Sequence, residues 1–385
     1  MTRRVRRILQ AAIALAVMVG LPGCWDMTAR EALYVPVLMA IDWHPPDYDV
    51  TLATDSPQLM STAGGSQSQG SSPTWIIRGR GRTLTAALQH LGINYPNANP
   101  LPLAHLRIVV LGHGALTPTI LNTIWDRFNR ARYLHRTFWV FGTSGPAATI
   151  AQATNPTGPD PTHALEEALD SARASGWVKP LRFYRIAETL YNTSDSGIVL
   201  PMVSVESEQG PNSGALFRFP GAWVLTHQGF VAGQWSRSQV ETWMLLRNEH
   251  PHLLLTVPAG HYQSVAVDAA KEHTRLSWRR GTLHVRTSLS ASLLEVDGAP
   301  PTHEAVDTKA IQQALAVQLV GRIARLVRWT QQHQVDVLGI DTGLEARHPV
   351  WFQDHAGEWP RIYAHAPVVV QVHVILQDTE NLRGQ

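Results

Sequence analysis

The 385-residue sequence predicts a multi-domain protein of mixed α+β and α/β class: an N-terminal α/β part, then a C-terminal antiparallel sheet with one long packed helix. Three observations predict it. In the first half, short apolar runs suited to buried strands alternate with helical periodicities, the pattern of an α/β arrangement. In the second half, strand-like stretches follow one another until a single long helical pattern over 306–333. Between the halves, residues 208–213 are polar with glycine and proline, which places the main domain boundary there. The expected division is a signal at 1–23, an N-terminal α/β domain over 24–207 and a C-terminal α+β domain over 214–380.

The chain opens with Arg3, Arg4, Arg6 and Arg7, then an apolar run over 8–21 interrupted only by Gln10. A charged start, a short apolar middle and a small residue at the cut form the layout of a secretory signal. The run is too short to cross a bilayer comfortably, which takes about 20 residues. Leu21-Pro22-Gly23-Cys24 ends it, and Cys24 is the only cysteine of the sequence. This stretch resembles the bacterial lipobox, in which the cysteine receives a diacylglyceryl group and becomes the first mature residue. An ordinary secretory signal with a chance cysteine fits the same residues. The position of the lone cysteine favours lipidation.

Residues 26–32 suit a short helix or tether, and 33–41 read as a strand interrupted by Pro36. A turn with two prolines leads to a partner strand over 48–54. Glycine, serine and glutamine fill 61–73, a loop with almost nothing to bury. A strand over 74–78 precedes a helix over 82–91, with Leu84, Leu88 and Leu91 on one face. The segment 104–112 reads as a buried strand, Thr117-Pro118 opens a helix to Arg130, and 137–141 is another buried strand. Three prolines and a glycine at 155–161 offer a sub-boundary. Short helices over 162–175 and 181–191 and an extended stretch over 199–206 complete this half.

The second half opens with a hairpin, 222–226 to 230–233, through His227-Gln228-Gly229. A helix over 236–247 starts at Ser236, a residue able to cap free amides. Strand-like stretches follow at 253–257, 264–268, 274–279 and 282–296. In the long helix Ile311, Leu315, Leu319, Ile323 and Leu326 form one apolar stripe. Residues 335–340 read as a strand. The last strand, 367–376, sets Val368, Val370, Val372, Val374 and Leu376 opposite Gln371 and His373, so it reads as half-buried.

The formal charge of +2 misleads, because the leader carries four of the 32 Lys and Arg residues and no acid. Without it, 28 basic residues face 30 acidic ones, a net −2. A nucleic-acid binder normally shows a basic excess, so that class is set aside. The histidines include no HExxH, since His303-Glu304 lacks the second histidine. His250, His252 and His261 are compatible with zinc but unspecific, and scattered loop histidines explain them as well. There is no GxSxG around Ser144 and no P-loop at Gly64-Gly65. Glu166, Glu167 and Asp170 read as a solvated helix face. Trp223, Trp235 and Trp243 could stack a ligand, though core packing accounts for them more simply. Nothing here supports an enzyme, a metal or a cofactor.

Five stretches, in order, resemble the GerAC family, the lipoprotein C subunits of bacterial spore germinant receptors. They are Gly23-Cys24-Trp25-Asp26; Gly81-Arg82-Thr83-Leu84; His105 to Gly112; the hairpin from Ala222-Trp223-Val224-Leu225 to Val231-Ala232-Gly233 with Trp243-Met244-Leu245-Leu246 behind it; and Val335 to Ile340 with His348-Pro349 and Trp351. The basic Arg78-Gly79-Arg80 and a second half rich in arginine and histidine depart from relatives that favour lysine. The resemblance implies a non-enzymatic subunit, anchored by Cys24 in the spore inner membrane with its body on the outer face. It also implies membrane-embedded A and B subunits as partners, and it supplies no catalytic residues. A substrate-binding lipoprotein of an importer is the rival reading. It would call for two similar lobes, and the halves here are dissimilar.

Overall fold

The computed structural model describes residues 35–55, 74–93, 103–131, 134–153, 161–191, 197–207, 214–250, 252–260, 262–297 and 307–377. Strand β1 (Val35–His44) is buried from Pro36 to Asp42. It pairs antiparallel with β2 (Asp47–Asp55), which pairs with β3 (Thr74–Gly81). Helix α1 (Leu84–Ile93) buries Leu84, Ala87, Leu88 and Leu91. Strand β4 (Ile108–Leu111) lies parallel to β1. Helix α2 (Pro118–Arg130) starts on its proline, and β5 (Trp139–Gly142) lies parallel to β4. Helices α3 (Ala148–Ala151) and α4 (Pro161–Ala174) precede the two-residue edge strand β6 (Leu181–Arg182) and α5 (Phe183–Tyr191). The sheet order is β3-β2-β1-β4-β5-β6.

The central strands are continuously apolar because both faces are covered. Met39, Ile41, Val109 and Leu111 pack with α1, α2 and α5, while Leu38, Ala40, Ile108 and Val110 pack with α3 and α4. The one carboxylate in β1's buried run has a specific task. Asp42 accepts hydrogen bonds from the N–H groups of Ala147 (2.7 Å) and Ala148 (3.0 Å), capping the start of α3. The strand expected over 104–112 shortens to four residues, because Leu103–His105 forms a 3₁₀ turn first.

The chain then builds a sheet that both halves share. Strand β7 (Ile198–Pro201) is followed by the paired β8 (Ser204–Ser207) and β9 (Ala215–Arg218). Next come β10 (Gly221–Leu225) and β11 (Val231–Ser236), giving a sheet of order β11-β10-β7. Alternation divides its side chains between two cores. Ile198, Leu200, Trp223 and Leu225 join the N-terminal core, while Val199, Ala222, Val224 and Trp235 join the C-terminal one. The register keeps each pair on one side, with Trp223 opposite Leu200 and Val224 opposite Val199. Beyond β7, the Val203 N–H donates to Gly142 O (3.0 Å), tying this sheet to the end of β5.

Helix α6 (Arg237–Leu246) opens on the expected cap: Ser236 and Gln239 form a capping box, with Gln239 Oε1 accepting from the Ser236 N–H at 3.0 Å. Strands β12 (Leu253–Ala259), β13 (Tyr262–Arg279) and β14 (Thr282–Asp297) form an antiparallel meander. The stretches 264–268 and 274–279 belong to one strand of 18 residues. The polar Lys271-Glu272-His273 breaks the apolar alternation but brings no turn residue, and the strand passes through with a register irregularity between Ala269 and Lys271. Helix α7 (Thr308–Gln332), capped by Asp307, spans about 37 Å for 25 residues. Its Ile311, Leu315 and Leu319 pack on the sheet, and its Ile323, Leu326 and Val327 reach the core at the shared sheet. Helices α8 (Ile340–Arg347), α9 (Pro349–His355) and α10 (Trp359–His365) then carry the chain across, so β15 (Val368–Gln377) joins β14 in parallel.

The strand expected over 335–340 does not form. Asp336 instead gathers the N–H groups of Leu338, Gly339 and Asp341 onto its carboxylate, at 2.8–3.0 Å. Gly339 takes a left-handed conformation (φ 76°) and α8 begins at Ile340. Val335 and Val337 are buried, which is why the stretch reads as a strand, but the carboxylate curls the backbone into a helix start.

The shared sheet leaves no room above Gly142, where a Cβ would lie 2.6 Å from Trp223 Cδ1 and 3.2 Å from Leu200 Cδ2. Gly142→Ala should therefore cost about 1–3 kcal/mol by overpacking. Gly145→Ala meets nothing within 4 Å and should stay within about 0.5 kcal/mol of the parent. Urea unfolding midpoints compare the two, and equal effects would contradict the tight seam.

Candidate functional site

Beside the shared sheet a cleft of about 820 Å³ opens between the two halves. Trp139 from β5, the segment Lys179 to Arg182 and Arg185 from α5 form one wall; Trp243 from α6, Arg247 just past its end, Glu249, and Gly339 and Thr342 near the start of α8 form the other. Its charges are already paired. The Lys179 ammonium contacts the Glu249 carboxylate and stands 5.0 Å above the Trp243 ring. Arg247 lies 3.6 Å from the same Glu249 and donates to Leu338 O at 3.2 Å. Arg182 stacks 3.8 Å above Trp139, and Arg185 pairs with Glu188 at 2.8 Å. Burial pushes the Lys179 pKa down, and Glu249 pulls it back up. The Lys179–Glu249–Arg247 group thus bridges the two halves across the cleft mouth.

A second contact crosses the seam below it. Gly176, left-handed at φ 68° just past α4, lets the His250 ring approach so closely that a Cβ would lie 2.1 Å from Cε1. His250 is buried, and neither ring nitrogen has a hydrogen-bond partner. Burial, then the charges of Arg322 and His252, lower its pKa to about 4, with the Gly176 backbone opposing. Glu272 accepts from the His250 N–H at 3.2 Å, and burial raises its pKa to about 7. Asp336 underlies the cleft. Both its oxygens are occupied, one of them also by Trp359 Nε1 at 3.3 Å, and burial pushes its pKa up while the N–H donors pull it down. The Arg322–Glu241 pair (3.0 Å), only 12% and 16% exposed, locks α7 to α6 behind this floor.

Residues 28–205 match the N-terminal domain of spore germination proteins, and 221–380 match the C-terminal family described as spore germination B3/GerAC-like. The chain belongs to the GerAC family. The GerAC relatives include spore germination protein KC of Bacillus subtilis (strain 168), 21% identical over 97% of this chain and 96% of that one. Spore germination protein B3 of the same organism is 20% identical over 92% and 93%. The crystal structure of the GerBC protein superposes with a TM-score of 0.57 at 15% identity, covering 88% of this chain and 97% of that one. It shares the mixed, multi-domain arrangement.

Against this GerAC frame, the residues singled out in the sequence separate clearly. Cys24, Trp25 and Asp26 lie outside the described residues, as do His261, His303, Glu304 and Gly64-Gly65. Trp235 packs on Trp243 (6.2 Å between centroids) and on Trp329 (5.4 Å), and Trp243 donates to Val337 O at 2.7 Å; Trp223 lies in the opposite core. These indoles are core, as the simpler reading has it. Glu166, Glu167 and Asp170 pair with Arg107, His163 and Arg173 along α4 and its neighbour. His252 faces Asp268 at 3.4 Å while His250 is buried in the seam, and among the described residues no group of three His, Cys, Asp or Glu could hold a metal. The seam residues Lys179, Gly176 and Glu249 carried one legible signal: Gly176 directly follows a helical pattern, where a helix-ending glycine belongs.

The two shifted groups oppose each other in pH. Unfolded Glu272 releases its proton near its ordinary 4.5 and the folded form only near 7, so this group costs stability as pH rises through that window. His250 costs stability as pH falls from 6.5 towards 4, where only the unfolded form takes the proton. Glu272→Gln removes the first effect alone. The variant should match the parent near pH 4.5 and exceed it at pH 8 by about 1–2 kcal/mol, after allowing for solvent screening of a partly exposed carboxyl. Urea unfolding across that range measures the difference, and a constant offset would contradict the assignment.

Proposed function

We propose that this GerAC-family chain is the lipid-anchored, non-enzymatic C subunit of a nutrient germinant receptor. Cys24 carries the diacylglyceryl group, and the body stands on the outer face of the spore inner membrane. There it acts in triggering germination through contacts with membrane A and B subunits. The observation that carries the reading is the match of both family segments, together spanning most of the chain in order. The cleft's charges satisfy one another, Lys179 and Arg247 on Glu249 and Arg185 on Glu188, which favours a binding or coupling role over catalysis. Among the described residues no helix is long and apolar enough to cross a membrane, which suits attachment through the lipid. The division into domains at 24–207 and 214–380 belongs to the same proposal, and the gap between the two family segments supports it.

Two acyl chains give stable anchoring where one gives only marginal binding. Cys24→Ala should abolish incorporation of labelled palmitate and leave a larger, unprocessed precursor. Continued labelling would refute the anchor. Deleting the gene should abolish loss of refractility in response to the receptor's nutrient, while germination by calcium dipicolinate persists in the same spores. An unchanged nutrient response, with no second receptor for that nutrient, would refute the receptor role.

A further inference from the structure

The C-terminal sheet buries one face beneath α7, and no described element covers the other. Strand register sets the uncovered side chains in rows. Arg275 stands opposite Arg286, which stands opposite Gln371; the adjacent row is His273, Ser288 and His373. All six are exposed, and they line a groove of about 420 Å³. Two arginines directly opposite each other repel, because facing side chains in a sheet lie only about 5 Å apart at Cβ. Arg286 Nε donates to Gln371 Oε1 at 2.9 Å, and neither arginine has an acidic partner among the described residues. Glu272, nearer along β13, lies on the same face as the buried Thr274 and meets the His250 N–H; on the open face the first acid from Arg275 towards the far end of the sheet is Asp268, opposite Ser292 and already facing His252 at 3.4 Å. It lies three rows away, about 20 Å at the rise of a strand. That is well beyond the screening length of about 8 Å at physiological salt, so it cannot relieve the pair.

The neighbours of the two guanidiniums carry hydrogen-bond donors: two imidazoles, an amide, and the Ser288 hydroxyl, which donates to His273 O at 3.3 Å and can rotate onto a ligand instead. A carboxylate occupies one guanidinium fork, whereas a phosphate presents enough acceptor oxygens for two forks and a hydroxyl together. We propose that Arg275 and Arg286, with His273, His373, Ser288 and Gln371, form an oxyanion site that takes a phosphate group. The phosphate belongs either to a free phosphorylated molecule or to a phospholipid headgroup. In both cases it relieves the repulsion that the folded sheet otherwise sustains.

The test uses the full-length chain in detergent micelles at low salt, titrated calorimetrically with inorganic phosphate. The parent should bind, Arg275→Gln/Arg286→Gln should lose at least about tenfold in affinity, and Arg275→Lys, which keeps the charge but not the fork, should fall between. Thermal unfolding guards against misfolded variants. Without phosphate each single glutamine variant should be no less stable than the parent, since it removes a like-charge pair; with phosphate only the parent should gain. Amide exchange of 273–288 with the chain in nanodiscs then separates the sources. Protection in mixed phosphatidylcholine–phosphatidylglycerol discs but not in pure phosphatidylcholine, lost in the double variant, identifies the headgroup. Phosphate binding without that protection identifies a free ligand. Neither phosphate binding nor protection, or equal binding by parent and double variant, overturns the site.

Discussion

The rest of the structure depends on the small sheet that belongs to neither half. Strands β7, β10 and β11 use the two-residue period of a strand to fill two cores at once. Trp223 and Leu200 extend the core of the six-stranded sheet, and Val224, Val199 and Trp235 extend the core under α7. Each large side chain buried there contributes about 1.5–3 kcal/mol, so the interface between the halves is a core and not a surface contact. A slip of one residue would exchange the two sets, sending Trp223 into space shaped for Val224. The closeness of Gly142 to the indole makes that register still more exclusive.

The polar contacts along the seam depend on this register. Lys179 reaches Glu249, and the Gly176 backbone admits His250, only because β7 and β10 hold α4 and α6 at fixed separation. Asp336 repeats the principle on a smaller scale. Its carbonyl accepts from Gly197 N at 3.1 Å beside β7, while its carboxylate starts α8, so one residue joins the shared sheet to the helices that cross over to β15. Such construction stiffens the body across the seam. Helix α7 runs from the shared core to the C-terminal sheet, so packed side chains run without a break from that sheet to the seam.

Much of the fold was legible in the sequence because it rests on periodicity. The alternation of β15, the stripe of α7, the cap at Ser236 and the proline start of α2 are local signals with local causes. The failures share a different cause. Residues 335–340 carry strand-forming valines, but a single carboxylate collecting three amides turns them into a helix start. Lys271-Glu272-His273 looks like a break within an unbroken strand, because three polar residues in a row resemble the polarity of a turn. The cleft residues are far apart in sequence and mean little singly: Lys179 and Glu249 become a pair only when the shared sheet brings them together. Cys24 is the reverse case, a feature carried wholly by sequence context and lying outside the described residues.

The most direct test of the shared sheet is native-state hydrogen exchange of the full-length chain in low denaturant, comparing amides of β4, β10 and the second half of α7. If the sheet fuses the two cores, these amides open together, with one free energy and one denaturant dependence equal to those of global unfolding. Trp223→Ala, which removes a side chain from the N-terminal core only, should then lower protection equally in all three. Selective opening of α7 and the C-terminal strands while β4 stays protected, or a Trp223→Ala effect confined to the N-terminal half, would show that the halves fold apart and contradict the fusion.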